Sequence, residues 1–138
     1  MTISRLSKGY GQIYTGDGKG KTTAALGQSL RAAGNGLKSF IVQFMKNCPY
    51  SEIHSLSFLS DWRTIEQYGN DTFVLESKMP ADNDIIVAHQ ALQQGRTAMV
   101  SGKYDNVILD EICIALHYNL VKLEEVFQLL SDKLLIVE

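Results

Sequence analysis

The stretch TGDGKGKTT, residues 15–23, constrains the fold of this chain more than any other feature. A β-rich run, YGQIYT, leads into it, and a segment with apolar residues at helical spacing follows it. Its glycines allow backbone N–H groups to converge on an anion, and its lysine and threonine stand where a helix would begin. The stretch therefore predicts a phosphate-binding loop between a strand and a helix, and not an ordinary glycine-rich turn.

The loop departs by one residue from the common pattern G-x-x-x-x-G-K-[ST]. Thr15 stands where the first glycine is expected, so the arc between Gly16 and Gly20 is shortened to three residues. Lys21 would reach the phosphates, the Thr22 hydroxyl would reach a metal ion, and the helix N-terminus would add positive charge. The predicted nucleotide contacts are Gly16, Asp17, Gly18, Lys19, Gly20, Lys21, Thr22 and Thr23.

Strand and helix signals alternate along the whole chain, and no hairpin signal interrupts them. The predicted strands are residues 10–15, 37–45, 62–69, 104–112 and 133–138. Helices are predicted from residue 22 to a stop at residues 34–36, and over residues 51–60, 81–101 and 121–130, with a loop at 70–80. This alternation predicts a single α/β domain of 138 residues with a parallel sheet and right-handed crossovers.

Composition argues against several classes of protein. Thirteen Lys and Arg against fifteen Asp and Glu give a formal charge of −2 without a basic block, which argues against a nucleic-acid binder. No apolar run approaches the roughly 18 residues of a spanning helix, and no secretory signal opens the chain, so we expect a cytoplasmic protein without a membrane segment. Cys48 and Cys113 lack zinc-site spacing and are predicted to be reduced, partly buried thiols.

Two adjacent carboxylates follow the apolar run of VILDE, where Asp110 and Glu111 end a predicted buried strand. In proteins with a phosphate-binding loop, an acid at this place holds Mg²⁺ directly or through water. Taken alone, such acids more often cap the next helix. Together with the glycine loop they predict a metal site formed by Thr22, Asp110 and Glu111.

Four segments together, TGDGKGKTTAALGQSLRAAGNG, VQFMK, YDNVILDEI and LEEVFQLL, closely resemble the ATP:corrinoid adenosyltransferases. The resemblance runs from about residue 8 to residue 138, and the short loop with threonine before its first glycine is that family's own variant. It implies a three-layer, RecA-like P-loop fold with a mostly parallel sheet. The apparent defect of the loop thereby becomes a marker of the family.

The resemblance also implies a reaction in which Co(I) of a reduced corrinoid attacks the 5′ carbon of ATP and the triphosphate leaves. ATP would be the co-substrate with Mg²⁺ or Mn²⁺, a flavoprotein would supply the electron, and the enzyme would be a homodimer. Lys19, Lys21 and the metal ion would offset charge on the departing triphosphate. The two residues expected to act in catalysis are Lys21 and Glu111, with Glu111 positioning the metal ion or the nucleotide.

Three further residues take expected roles from the resemblance, each beside an ordinary structural alternative. Arg31 matches an arginine near the nucleoside, but it could equally belong to a solvated helix face. Phe73, and second Tyr68, would form the aromatic wall for the corrin, or they could be core aromatics. The histidines, which lie in no matching motif, are expected to have no catalytic role: His54, His89 and His117.

The family pattern continues beyond Glu138 with a strand, a Thr-Gly-Arg turn and another helix, so we expect a fold truncated at its carboxyl end. Two other functions stay open beside adenosyl transfer. One is a RecA-like ATPase or nucleoside kinase, and the other is an inactive nucleotide-binding fragment.

Overall fold

The computed structural model describes residues 5–48, 50–70 and 79–138 of the chain. Helices and strands alternate along these residues as the sequence predicts. The elements are α1 (Lys21–Gly34), β1 (Ser39–Phe44), α2 (Ser51–Ser57), β2 (Arg63–Tyr68), α3 (Asp82–Val100), β3 (Asn106–Asp110), α4 (Ile112–His117) and α5 (Leu123–Asp132).

The three strands form one parallel sheet in the order β2–β1–β3. Ser39 at the start of β1 pairs with Arg63 of β2 and Asn106 of β3, so the carboxyl ends of all three strands meet at one edge. Every residue of β1 is buried, because neighbouring strands flank it and helices cover both faces. This explains why its sequence is a nearly continuous apolar run.

Helices on the two faces give the fold three layers. Phe40, Val42 and Phe44 of β1 project to one face and join a buried cluster with residues of α3 and α5. Helices α1 and α2 lie on the other face, where residues of both line one cleft. The predicted α/β class, with an all-parallel sheet of the RecA-like type, is confirmed.

The carboxyl end of α1 and the amino end of α3 form the capping hydrogen bonds that the sequence predicts. After α1, the Asn35 and Gly36 amides return to carbonyls of the last turn, and Gly36 takes a positive φ of 76°. Before α3, the Asp84 carboxylate accepts a hydrogen bond from the Ala81 amide at 3.1 Å. Within the predicted loop 70–80, residues 71–78 lie outside the described residues.

Two predicted strands, 10–15 and 133–138, are wrong. Residues 10–15 have no regular secondary structure, because a strand needs a hydrogen-bonded neighbour, and Ile13 is 78% exposed. Residues 134–137 form a turn, closed by the Val137 amide on the Leu134 carbonyl. Glu138 alone lies along β3, accepting from the Val107 amide at 2.7 Å. Apolar composition identified strand-forming segments, but it did not identify whether a partner strand lies beside them.

Two smaller predictions also differ from the structure. Helix α4 was not predicted, because its six residues are too few to show a helical period. Cys48 and Cys113 are free, as expected, but both are exposed.

Close packing of α3 on the sheet depends on a glycine. A Cβ at Gly95 would lie 2.8 Å from Cδ2 of Leu109 on β3. We expect Gly95→Leu to lower the free energy of unfolding by about 1–3 kcal/mol, because it overfills this contact. The same substitution at Gly27 in α1, where a Cβ would meet no atom within 4 Å, is the matched control. Denaturant unfolding measures both, and equal free energies for the two variants would contradict the prediction.

Helices α3 and α5 are linked by a titratable pair. Glu125 accepts a hydrogen bond from the Lys122 amide at 2.8 Å, and its Oε1 lies 3.0 Å from Nε2 of His89. The backbone hydrogen bond, with a further contribution from His89, lowers the pKa of Glu125 below its ordinary value of 4.5. A lowered pKa contributes stability above about pH 4.5 that is lost as the pH falls through the folded-state pKa.

Glu125→Gln should therefore flatten the fall in stability below about pH 4.5, by a small amount because the carboxylate is partly exposed. Urea midpoints measured at pH values on both sides of 4.5 test this. Parallel pH profiles for the variant and the unsubstituted protein would show that the pair contributes nothing.

Candidate nucleotide site

Three glycines of the loop adopt a backbone conformation that favours glycine. Gly16, Gly18 and Gly20 have φ angles of 123°, 86° and 112°, in the region that other residues rarely adopt. A Cβ at any of the three would meet no atom within 4 Å, so the backbone conformation, and not crowding, calls for glycine. Gly20 directly precedes α1, whose first N–H groups have no partner within the helix.

The ammonium group of Lys21 lies over this loop. Its Nζ donates to the carbonyl oxygen of Gly16 at 2.7 Å and to that of Gly18 at 2.6 Å. Both acceptors are neutral and lie in exposed backbone, so a phosphate oxygen would be a stronger partner for the same charge.

The Asp110 carboxylate joins three parts of the fold at the carboxyl edge of the sheet. Its Oδ1 accepts from the Thr22 hydroxyl at 2.8 Å, and its Oδ2 accepts from Gln43 Nε2 at 2.9 Å and Lys46 Nζ at 2.7 Å. Asp110 is 8% exposed, so these charge-assisted bonds lie largely out of water. The structure therefore brings together Thr22 and Asp110, which stand far apart in sequence.

A hydrogen bond between the side-chain amides of Gln67 and Gln43 sets the orientation of Gln43. Gln67 Nε2 donates to Gln43 Oε1 at 2.9 Å and to the Cys48 carbonyl at 2.9 Å. Because the Gln43 oxygen is taken by a donor, its amino group must face Asp110. Gln43 pairs with Gln67 on one side and with Asp110 on the other in the sheet, so the network follows the strand register.

Sequence reasoning missed Gln43, Lys46 and Gln67 as site residues. A usable signal was the single glutamine inside the apolar run FIVQF, since a buried amide must find hydrogen-bond partners. Lys46 lies in the segment VQFMK, which carries part of the family resemblance, but the resemblance assigned it no role.

Glu111 stands beside this network in an uncommon backbone conformation. Its φ is 68°, and its Oε1 lies 3.7 Å from Lys46 Nζ. It precedes α4, but its side chain makes no capping hydrogen bond, so helix capping does not account for it. Met45 after β1 also has a positive φ, of 58°. Non-glycine residues in this region cost about 1–3 kcal/mol each and cluster at functional sites.

The residues present suit a hard divalent cation that takes part of its ligands from phosphates and water. Thr22 Oγ1 and Asp110 Oδ1 are adjacent oxygen donors, and Mg²⁺ commonly takes only one or two such protein ligands in phosphate sites. Among the described residues, no group of three or more His, Cys, Asp and Glu side chains could hold a metal ion alone. A cation here would need the phosphates of a bound nucleotide.

An open cavity of about 780 Å³, which we call the α1–α2 cleft, adjoins the site. Thr22, Thr23, Lys46 and Glu111 line it near the glycine loop. Its other lining residues are Leu26, Gly27, Leu30, Met45, Tyr50, Glu52, Ser55, Leu56, Arg63, Ile114 and Tyr118. The volume and the mainly apolar walls with a few polar groups are those of a small-molecule site.

Comparison with known families gives a match over nearly the whole chain. The family described as ATP:corrinoid adenosyltransferase BtuR/CobO/CobP matches residues 7–137. The chain belongs to this family. The match includes the glycine loop, the Asp110 network and all eight helices and strands.

Curated members of the adenosyltransferase family resemble the chain at modest identity. The "Corrinoid adenosyltransferase" of Escherichia coli K12 is 32% identical over 127 residues, covering 88% of this chain and 60% of that protein. "Corrinoid adenosyltransferase CobA" of Salmonella typhimurium LT2 is 31% identical, with the same coverage. The "Corrinoid adenosyltransferase" of a Sinorhizobium species is 29% identical, covering 96% of the chain and 62% of that protein. The chain thus spans about three fifths of the length of these relatives.

The structure does not bring every residue predicted from the adenosyltransferase resemblance to the site. Arg31 is exposed in the last turn of α1 and does not line the cleft. Tyr68 packs against the core on the α3 side of the sheet, where its hydroxyl donates to Glu66 at 2.6 Å. Burial, and then Glu66, raise the pKa of Tyr68 to about 12, so it stays neutral. Phe73 lies outside the described residues. Their roles stay predictions.

None of the three histidines lines the cleft of this adenosyltransferase-family chain. His89 bonds to Glu125 between α3 and α5, His117 stacks edge-on against Tyr118, and His54 is exposed in α2. In the part of the chain that the structure describes, no helix is long and apolar enough to cross a membrane.

The position of Lys46 depends on a close backbone approach at Gly69. A Cβ there would lie 2.5 Å from the Lys46 amide nitrogen and 2.6 Å from the Met45 carbonyl carbon. Gly69→Ala should push the Met45–Lys46 turn away from Asp110 and lower the free energy of unfolding by about 1–3 kcal/mol.

Gly34→Ala, at the end of α1 where a Cβ would meet no atom within 4 Å, is the control for replacing a glycine. Chemical denaturation gives both values. Equal free energies of unfolding for Gly69→Ala and Gly34→Ala would contradict this account of the turn.

Proposed function

We propose that the protein transfers the 5′-deoxyadenosyl group of ATP to the Co(I) centre of a corrinoid and releases triphosphate. The main support is the position of the Thr22–Asp110–Lys46 cluster beside the glycine loop, in a chain that belongs to the adenosyltransferase family. The proposal extends to the whole protein what the relatives' names state, although the chain spans only part of their length.

In the proposed step, the electron pair of Co(I) forms a bond to the ribose C5′ while the C5′–O bond breaks. The electrons of that bond leave with the triphosphate oxygen, so cobalt is formally oxidised to Co(III) and no water takes part. Charge therefore builds on the departing triphosphate, and the site must stabilise that charge.

The chain's own residues supply positive charge at the point where the triphosphate would leave. The loop amides of Gly16 to Gly20 and the α1 N-terminus would bind its oxygens, and Lys21 would exchange two neutral carbonyls for phosphate. Lys19 in the same loop and Lys46 beside Asp110 would add two more cations. Preorganised groups of this kind cost no rearrangement at the moment of reaction.

Thr22 and Asp110 would hold a divalent cation, Mg²⁺ or Mn²⁺, with Glu111 at its margin. When bound, such an ion would neutralise part of the charge on the leaving oxygens. Gln43 and Lys46 donate to Asp110 Oδ2, which leaves Oδ1 for Thr22 or the cation. Glu111 would orient the ion or the nucleotide.

Four further proposals follow from the family resemblance. The protein would be a cytoplasmic homodimer, and a flavoprotein would donate the electron. Arg31 would contact the nucleoside, and Phe73 or Tyr68 would contact the corrin. Size-exclusion chromatography with light scattering tests the dimer. The proposed reaction does not depend on these four proposals, so evidence against any of them would not count against it.

Incubating the protein anaerobically with ATP and a chemically reduced corrinoid should yield a light-sensitive Co–C product and intact triphosphate in equal amounts. Lys21→Ala should weaken ATP binding at least about tenfold without changing the melting temperature, because bonds to a charged group contribute roughly 1.5–3 kcal/mol. Calorimetry measures the affinity. Lys103→Ala, which removes an exposed lysine after α3, is the matched control.

Three results would decide against the proposal in different ways. ADP and phosphate as stoichiometric products would indicate an ATPase or kinase. Tight ATP binding without turnover under strongly reducing conditions would indicate an inactive nucleotide-binding fragment. Equal ATP affinities for Lys21→Ala and Lys103→Ala would exclude the glycine loop as the phosphate site.

A further inference from the structure

The ammonium group of Lys46 pairs with both carboxylates of the candidate metal site. Its Nζ donates to Asp110 Oδ2 at 2.7 Å and lies 3.7 Å from Glu111 Oε1. The Lys46 side chain is only 13% exposed, so solvent and salt screen these charges weakly. One positive charge thus offsets part of the negative charge of two carboxylates.

The structure holds this side chain at both ends. Lys46 follows Met45, whose φ is 58°, and its amide nitrogen would lie 2.5 Å from a Cβ at Gly69. At the other end, Nζ lies 5.8 Å from the centroid of the Tyr50 ring, within the range of a cation–π contact. Tyr50 and Glu111, which Nζ contacts, line the α1–α2 cleft together with Lys46. The ammonium group therefore lies at the wall of the cleft.

In the described part of the chain, Lys46 is the one basic side chain that is paired with either carboxylate. Lys21 donates instead to two carbonyl oxygens of the glycine loop. The other oxygen of Asp110, Oδ1, accepts from the Thr22 hydroxyl, and these two oxygens are the candidate metal ligands. A divalent cation on Oδ1 would therefore share one carboxylate with the ammonium group of Lys46.

Charge and ligand number both disfavour a divalent cation at this place when no nucleotide is bound. Asp110 and Glu111 carry two negative charges, and the positive charge of Lys46 reduces their sum to one. The described residues also offer no group of three or more His, Cys, Asp and Glu side chains that could hold a metal ion. Repulsion between the ammonium group and the ion would act at close range, where solvent screens it weakly.

A triphosphate in the glycine loop would reverse this balance. Its oxygens would supply the ligands that the protein lacks, since Mg²⁺ in phosphate sites is bound by one or two carboxylates together with phosphates and water. Its negative charge would also give the ammonium group of Lys46 a second partner, because bonds between ammonium and phosphate are charge-assisted. The same lysine would thus disfavour the ion alone and favour the ion together with a triphosphate.

We propose that Lys46 is a positioning residue that makes binding of the divalent cation depend on the triphosphate. In the ligand-free protein its ammonium group supplies the positive charge beside Asp110 and Glu111. When a triphosphate binds, Lys46 turns its charge toward the phosphates and leaves Asp110 Oδ1 open to the ion. The identity of this triphosphate as that of ATP rests on the proposed function. Lys46 sets which ligands bind together and takes no part in bond breaking.

Binding of Mn²⁺ in the absence of nucleotide tests the proposal. Electron paramagnetic resonance measures the free ion, so it gives the Mn²⁺ dissociation constant without any turnover. Lys46→Gln keeps an amide donor near Asp110 but removes the positive charge, so it should bind Mn²⁺ at least about tenfold more tightly than the unsubstituted protein. Lys46→Arg, which keeps the charge, should stay within about twofold of the unsubstituted protein.

Lys103→Gln is the matched control, because it removes the charge of an exposed lysine after α3. Its Mn²⁺ dissociation constant should equal that of the unsubstituted protein. Equal Mn²⁺ dissociation constants for Lys46→Gln and Lys103→Gln would overturn the proposal. A gain in Lys46→Arg as large as that in Lys46→Gln would also overturn it, because the charge would then not be the cause.

A second pair of variants displaces the ammonium group without changing any charge. Gly69→Ala should push the Met45–Lys46 turn away from Asp110, so the folded variant should also bind Mn²⁺ more tightly. Gly34→Ala, where a Cβ meets no atom within 4 Å, should not. This pair decides the matter if Lys46→Gln does not fold. Equal Mn²⁺ dissociation constants for the two glycine variants would then count against the proposal.

Calorimetry with ATP, without corrinoid, measures how strongly the ion and the nucleotide depend on each other. The factor by which Mn²⁺ tightens ATP binding equals the factor by which ATP tightens Mn²⁺ binding. After correction for the Mn²⁺–ATP complex in solution, this factor should fall at least about tenfold in Lys46→Gln. An unchanged factor with normal ATP binding would exclude the role of Lys46 alone. Absence of ATP binding by the unsubstituted protein would instead count against the proposed function.

Discussion

The buried carboxylate of Asp110 is the interaction on which the candidate site depends. It bonds to the first turn of α1 through Thr22, to the central strand through Gln43, and to the turn after β1 through Lys46. A carboxylate that is 8% exposed would be costly without partners, but here three donors share its charge. Because the donors come from separate elements, the same bonds that satisfy the buried carboxylate also hold the start of α1, and with it the end of the glycine loop, against the sheet.

The strand register makes this arrangement specific. Gln67, Gln43 and Asp110 pair across β2, β1 and β3, so a shift of one residue in either pairing would turn one of these side chains to the opposite face. Behind them, Met45 and Glu111 adopt positive φ angles directly after two strands, and Gly69 allows the backbone to pass within van der Waals range of the Met45 turn. Two of the three non-glycine residues with positive φ in the described part of the chain thus lie at the carboxyl edge of the sheet.

The features that could be predicted from the sequence are those encoded by residues close together in the chain. Alternating segments revealed the parallel α/β fold, and the glycines, Lys21, Thr22 and Asp110 could be named because each residue type has a distinct chemical use in a phosphate site. Gln43, Lys46 and Gln67 could not, since their contribution depends on which strands are neighbours. The same limit explains the wrong strands at 10–15 and 133–138, where the composition is strand-forming but, apart from Glu138 beside β3, the described residues form no strand pairing.

Asp110 and Arg63 show opposite solutions for a buried charge in one fold. Asp110 is compensated by the protein itself, so its geometry is complete before any ligand binds. Arg63 has two buried donors, Nε and Nη2, without acceptors in the described part of the chain, so hydrogen bonds do not offset the cost of burying them. The bonds of Asp110 hold the first turn of α1, the central strand and the turn after β1 in one arrangement, whereas the two unpaired donors of Arg63 lower the stability of the fold.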